Sequence, residues 1–302
     1  MTMTAEERFR RLAAEPMVST TTYANSFAST WASLTNIFSN REMLGLLVRR
    51  DIKARYKDSA LGLVWATIRP LTQLAIYYVV IGKFLRAGEN IPDFAIYVFT
   101  GLTAYGLFSE IVGGGTASII GNAGLIKKVY LPREVFPLAS LGSALFNFLI
   151  QLGILLVAAT VLAVFPWSVE AIYFLPSLLI LVLYGTAFGM LLGALNVYLR
   201  DIQYLVEVGL LLMLWASPVV YSWQMVRDIV GHGLLLEIYT NNPITLAVLG
   251  FQRTFWIGGH GTTAYPAELL LRQGIAIAIG IVLLFLFQRI FAKLQGNFAQ
   301  QL

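Results

Sequence analysis

A chain of 302 residues that is 58% hydrophobic and only 12% charged, with a mean hydropathy of +0.73, is excluded from the soluble globular class, in which roughly a quarter of residues are charged. The net charge of +5 suits a protein facing anionic lipid and is not read as a nucleic-acid signal. With no cysteine and only two histidines, His232 and His260, thiol nucleophiles, disulfides, thiolate metal sites and a histidine metal cluster drop out. Unbroken runs such as Leu181–Leu195 (LVLYGTAFGMLLGAL) also reject a transmembrane barrel, which alternates in segments of about 10 residues.

The lead, residues 1–40, is polar and mixed in charge, without the apolar core of a cleaved signal. It is expected to stay in the cytosol. Residues 41–59 follow as an amphipathic interface helix. Leu44, Leu47, Val48 and Ile52 share one face, and Arg49, Arg50, Lys53 and Lys57 lie away from it, which fits a helix in the headgroup plane. Asp51 and Arg55 are placed for an i,i+4 pair. A plain solvated basic helix is the alternative.

Residues 60–291 are predicted to form an all-α polytopic membrane domain with six transmembrane helices. The first span runs from about Leu61 to Phe84. Its Arg69 must reach the cytosolic side or a water-filled lumen, because an arginine at the bilayer centre costs roughly 2.5–3.5 kcal/mol. The second, Phe94 to about Ile119, holds Glu110 and Gly113-Gly114-Gly115, which predict a kink or thinning near its end. The third covers about Leu138–Val164. The fourth, Ile172–Val197, carries Gly185, Gly189 and Gly193, a ridge that admits close approach of another helix. The fifth covers about Gln203–Tyr221 and the sixth about Ala267–Ile290. Residues 222–265 are too polar to span as a whole. Their two apolar patches, Leu234–Tyr239 and Ile244–Ile257, read as short external helices dipping part-way into the outer leaflet. Residues 292–302 form a polar cytosolic tail.

Six spans with the amino terminus inside place fifteen Lys and Arg on the cytosolic side and four outside, in keeping with the positive-inside rule. Between the second and third spans lies a basic elbow, residues 119–136. If Leu125, Ile126, Val129 and Tyr130 are helical they share a face, with Lys127 and Lys128 turned away and Pro132 ending the helix. So short a helix is marginal alone in water, and it needs the membrane, neighbouring loops or a partner protein to hold it. An ordinary basic turn between two spans fits the same residues.

No phosphate-binding loop of the G-x-x-x-x-G-K-[ST] type is present, so any energy must come from another chain. Intramembrane carboxylates are few, Glu110 and Glu207 being the chief ones, which argues against proton coupling and against a membrane enzyme acting on lipid-linked sugars. Aromatics cluster instead. Tyr77, Tyr78 and Phe84 in the first span, with Tyr97, Phe99, Tyr105 and Phe108 in the second, offer flat faces over which sugar rings could slide. Helix packing plus an interfacial aromatic belt is the alternative.

Leu61-Gly62-Leu63-Val64-Trp65 with Arg69-Pro70-Leu71, then Asn122 with Leu125 to Glu134 (LIKKVYLPRE), then Asn196 to Asp201 (NVYLRD) resemble the permease subunit of ABC exporters of polysaccharides and polyol phosphates, the Wzm/TarG group. The resemblance extends from Arg41 to the end of the chain. It implies the type-2 ABC exporter permease fold and a subunit without catalysis of its own. Two copies of this chain would pair in the inner (plasma) membrane with two copies of a nucleotide-binding ATPase, which binds ATP and Mg, both termini of each permease lying in the cytoplasm. The cargo would be a lipid-linked glycan of the O-antigen, teichoic acid or galactan type; an ABC exporter of lipids or drugs differs only in its channel lining. Asn122, Leu125, Ile126, Lys127, Lys128, Tyr130, Pro132, Arg133 and Glu134 would form the ATPase-coupling helix. Arg49, Arg50, Lys53 and Lys57 would mark the interface helix, and residues 222–265 the external gate. Arg69 and the seven clustered aromatics would line the channel, with the first and fifth spans facing the dimer axis.

Overall fold

The computed structural model describes residues 41–56, 64–89, 91–128, 131–161, 168–261 and 263–302, and these are helical with no strand among them. The polar lead lies outside the described residues. In chain order the α-helices are α1 (Arg41–Tyr56), α2 (Trp65–Tyr77), α3 (Phe94–Gly121), α4 (Ala123–Ile126), α5 (Val135–Val161), α6 (Phe174–Tyr198), α7 (Ile202–Trp215), α8 (Trp223–Val230), α9 (Leu234–Thr240), α10 (Pro243–Phe255), α11 (Leu269–Leu294) and α12 (Phe298–Gln301). Among the described residues four helical stretches are long and apolar enough to cross a membrane, namely α3, α5, Val169–Tyr198 and Leu269–Asn297. A fifth is possible if α9 and α10, bent by 68°, count as one broken span. The chain is thus a multi-pass membrane protein.

Two of the six expected spans differ from this. The first is α2 followed by a π-helical stretch, Tyr78–Phe84; α2 has Pro70 inside it and buries none of its residues. The fifth is short. α7 stops at Trp215 after 14 residues, about 21 Å of helix, because Pro218 follows and disfavours helix at the residue before it. The turn so created is stitched to its neighbours. The Tyr97 hydroxyl lies 3.0 Å from the carbonyl oxygen of Pro218 and 2.6 Å from that of Tyr221, and Gln252 Nε2 donates to Pro218 O at 2.6 Å.

The core is a seam between α3 and α6. A Cβ built on Gly193 would lie 2.6 Å from the carbonyl oxygen of Gly115, and one on Gly115 only 2.8 Å from Cα of Gly189. Gly185 faces Ile111 in the same row, so the expected glycine ridge brings the two backbones together. Asn196, fully buried, donates from α6 to the Thr116 carbonyl at 3.1 Å. Through Gly113–Gly115, where a kink or thinning was expected, α3 runs as one helix of 28 residues, about 42 Å, and Gly114 and Gly115 make room for Ser140 and Gly189.

The external segment also departs from expectation. Every residue of α10 except Pro243 and Arg253 is buried, and α10 packs against α6 and α3. The Ile244–Ile257 patch is therefore largely core. α9 is the more exposed half, with Leu234, Leu235 and Ile238 open, and its Glu237 accepts from Arg272 of α11 at 2.6 Å. Arg253 is held by Glu170 at 2.6 Å and stacks over Tyr173 at 4.3 Å.

Candidate functional site

α3, at about 42 Å, is longer than a hydrocarbon core of about 30 Å and matches the bilayer with its headgroups, so its ends reach the polar layer. At its carboxyl end, α4 forms a single turn, anchored by Ile126 N–H donating to Asn122 O at 3.1 Å. Ile126 is buried with Leu47, Val135, Phe136 and Ala139, and Leu125 packs beside them. The helix ends at Ile126, six residues before Pro132, so proline is not what stops it. Lys127 and Lys128 follow as an exposed turn, turned away from the apolar face as their spacing predicts. Val129 and Tyr130 lie outside the described residues. Pro132, Arg133 and Glu134 then turn the chain into α5, with Val135 N–H donating to Pro132 O at 3.1 Å.

Three neighbours pin this elbow. Asn122 Nδ2 donates to Ser118 O at 2.8 Å, and Asn122 Oδ1 accepts from Arg50 of α1 at 2.7 Å. Arg133 donates to the carbonyl of Gln295, with its guanidinium 5.9 Å from the Phe298 ring centroid. Glu134 is 4% exposed and accepts from Gln295 Nε2 at 3.1 Å. Burial pushes its carboxyl pKa up, opposed by its hydrogen bonds and by Arg133. The residues of the candidate coupling elbow therefore divide. Lys127 and Lys128 present charge; Asn122, Ile126, Arg133 and Glu134 hold the turn. A direct contact between Glu134 or Ile126 and another protein does not fit their burial.

α1 lies along α5, with Leu47 buried and Val48 wedged against Gly142. Leu44, Leu47, Val48 and Ile52 all face inward to some degree, while Arg49, Arg50 and Lys53 are exposed; Lys57 lies outside the described residues. The expected Asp51–Arg55 pair is not formed. Asp51 pairs with Arg50 at 2.7 Å, and Arg55 pairs with Glu110 of α3, which also accepts from Asn147 of α5 at 2.5 Å. A carboxylate in an apolar helix is costly unless its lone pairs are met. Here two side chains from two other helices meet them.

The aromatic candidates do not line one passage in this chain. Tyr97, Phe99, Tyr105 and Phe108 are all buried in the bundle. Tyr97 meets Trp256 edge-on at 4.8 Å, and Tyr105 donates to the Leu210 carbonyl. Tyr78 and Phe84, by contrast, are exposed, Tyr77 is half-buried, and Arg69 is open. A cavity of about 670 Å³ lies between this first segment and the start of α3, lined by Leu71, Tyr78, Lys83, Asp93 and Phe94 among others. Burial thus favours packing for the second-span group.

A model of the ABC-2 type transporter family matches residues 42–256. The chain belongs to that family. Among curated relatives of this ABC-2 chain, the O-antigen export system permease protein RfbA of Myxococcus xanthus is 31% identical over 267 residues, covering 88% of this chain and 97% of the relative. The protein of the same name in Klebsiella pneumoniae is 28% identical over 260 residues, covering 86% and 94%. Sequence reasoning missed three features of this ABC-2 chain: the Arg50–Asn122 contact, the Arg55–Glu110 pair and the docking of the carboxyl end on the elbow. Phe298, the one aromatic residue of the tail, was the available signal for the third.

Proposed function

We propose that this chain is the membrane permease subunit of an ATP-driven exporter that moves a lipid-linked polysaccharide across the inner membrane. It works as a homodimer with two copies of a separate ATPase, which binds ATP and Mg; both ends of the permease face the cytoplasm. Relatives named as O-antigen export permeases, matched along nearly their whole length, support the transport role and favour an O-antigen-like cargo over teichoic acid or galactan. The single observation that carries the coupling role is the exposed Lys127–Lys128 turn, projected at the end of α3 and pinned from α1, α3 and the carboxyl segment. A turn held in this way moves only with the helices that hold it, which suits a mechanical input. Channel roles for Arg69, Tyr78 and Phe84 accord with their exposure in the single chain, and one for Tyr77 with its place beside them on the same segment.

The test is purification of the permease from its own membranes in mild detergent. A stoichiometric ATPase should come with it, and Lys127→Glu/Lys128→Glu should reduce that recovery at least tenfold while the permease itself stays monodisperse. Undiminished recovery and undiminished surface polysaccharide in cells carrying the double variant would remove the docking role.

A further inference from the structure

By covalent connection the elbow joins α3 to α5, and from α3 a push passes to α6 through the glycine seam. The side chains add another route. Phe298 is completely buried. It meets Phe291 of α11 edge-on at 5.5 Å and Tyr198, the last residue of α6, at 6.3 Å. Tyr198 in turn donates its hydroxyl to the Leu294 carbonyl at 2.8 Å. On its other side Phe298 receives the Arg133 guanidinium, while Gln295 clasps the elbow twice: its carbonyl accepts from Arg133 and its side chain donates to Glu134. The same apolar cluster takes in Ile126, Val135, Ala194 and Val197. Three separate chain segments thus close on one aromatic ring, at a place where the local sequence, Gln295-Gly296-Asn297-Phe298, offers a single apolar residue. Close-packed contacts of this kind pass displacement on and do not absorb it.

We propose that Gln295 and Phe298 are positioning residues that lock the elbow to α6 and α11, so that a displacement of the elbow moves four helices together. This rests on the docking reading above. Without the lock, the partner would still bind the lysine turn and hydrolyse ATP, but the stroke would reach α6 and α11 only by way of the α3–α6 seam.

The experiment compares Phe298→Ala, Gln295→Ala and a chain ending at Leu294 with the conservative Phe298→Leu. Partner recovery is measured on the detergent-purified complex, ATP turnover on that complex in phosphatidylethanolamine–phosphatidylglycerol vesicles, and export as periodate-oxidisable polysaccharide on intact cells. Expected are unchanged recovery, ATP turnover within twofold of the parent, and a fall of about tenfold in surface polysaccharide, largely restored by Phe298→Leu. Normal export from the truncated chain overturns the proposal. Because the chain lacks cysteine, a second arm is available if the variants fold poorly. Glu134→Cys with Gln295→Cys removes the clasp between the two side chains and should export poorly until a short bis-maleimide joins the two segments into one body; failure of joining to restore export, in a protein that is otherwise intact, overturns the proposal too. The two readings fail differently. If docking is wrong, Lys127→Glu/Lys128→Glu keeps its partner; if only the lock is wrong, that variant loses its partner and the tail variants export normally.

Discussion

The α3–α6 seam and the short helix α7 are both apolar, yet they are built on opposite plans. Along the seam, glycines at 115, 189 and 193 let backbone meet backbone, and a buried Asn196 stitches the two helices. On α7 the large side chains point away from the bundle: Tyr204, Leu205, Val208, Leu211 and Leu212 are each more than half exposed in the single chain. Close approach fixes a geometry, whereas an open row of large side chains leaves one to be completed by lipid or by a second protein. The comparison separates a rigid frame from an element that still needs a neighbour.

The sharpest way to break it is Gly189→Val. A side chain there runs into the Ile111 carbonyl 3.1 Å away and into Gly115 beyond. Overpacking ordinarily costs about 1–3 kcal/mol; against backbone the relief is smaller, and the protein should fail to accumulate in a monodisperse form. Gly209→Ala on α7, where nothing lies within 4 Å, should be neutral or slightly stabilising, since glycine inside a helix costs roughly 0.5–1 kcal/mol relative to alanine. Equal yields for the two variants, by size-exclusion in detergent, would erase the distinction.

A smaller effect is expected from Leu205→Ala/Leu212→Ala, two turns apart on the open row. The single chain should melt as before, because these side chains touch little within it. The proposed homodimer should weaken about tenfold, equivalent to roughly 1.4 kcal/mol, read as the dimer fraction on dilution in detergent. A dimer of unaltered strength moves the interface elsewhere. Smallest is Tyr105→Phe, which removes the hydrogen bond from α3 to the Leu210 carbonyl of α7. The net value of such a bond is about 0.5–1.5 kcal/mol, a melting shift of a few degrees at most, with surface polysaccharide unchanged. Strongly reduced export with normal melting would return Tyr105 to the cargo path.

Residue type and spacing made part of this legible. Glycines at every fourth position announced the seam because only close packing rewards them in a membrane. The buried face of α1 and the outward lysines of the elbow followed from helical period alone. Length along the membrane was harder. Pro218 cuts the fifth span short, and the apolar stretch from Ile244 reads as a helix dipping into the outer leaflet because a periodic pattern cannot distinguish burial in lipid from burial in protein. The site suffered most where partners lie far apart in sequence. Arg55 had an acid four residues away and chose one 55 residues on; Gln295 reaches back 161 residues to Glu134. Neither choice leaves a local trace. The Tyr97 to Phe108 aromatics misled for the opposite reason, since a stacking surface for sugar and a core of rings use the same residues.

The bridge from Arg55 to Glu110 also orders events during synthesis. The basic helix leaves the ribosome before its acidic counterpart exists, so it has to wait at the lipid surface with that charge unmet. Only when α3 has entered the membrane can the early segment form this bridge, so α1 takes its final place after a helix that follows it in the chain.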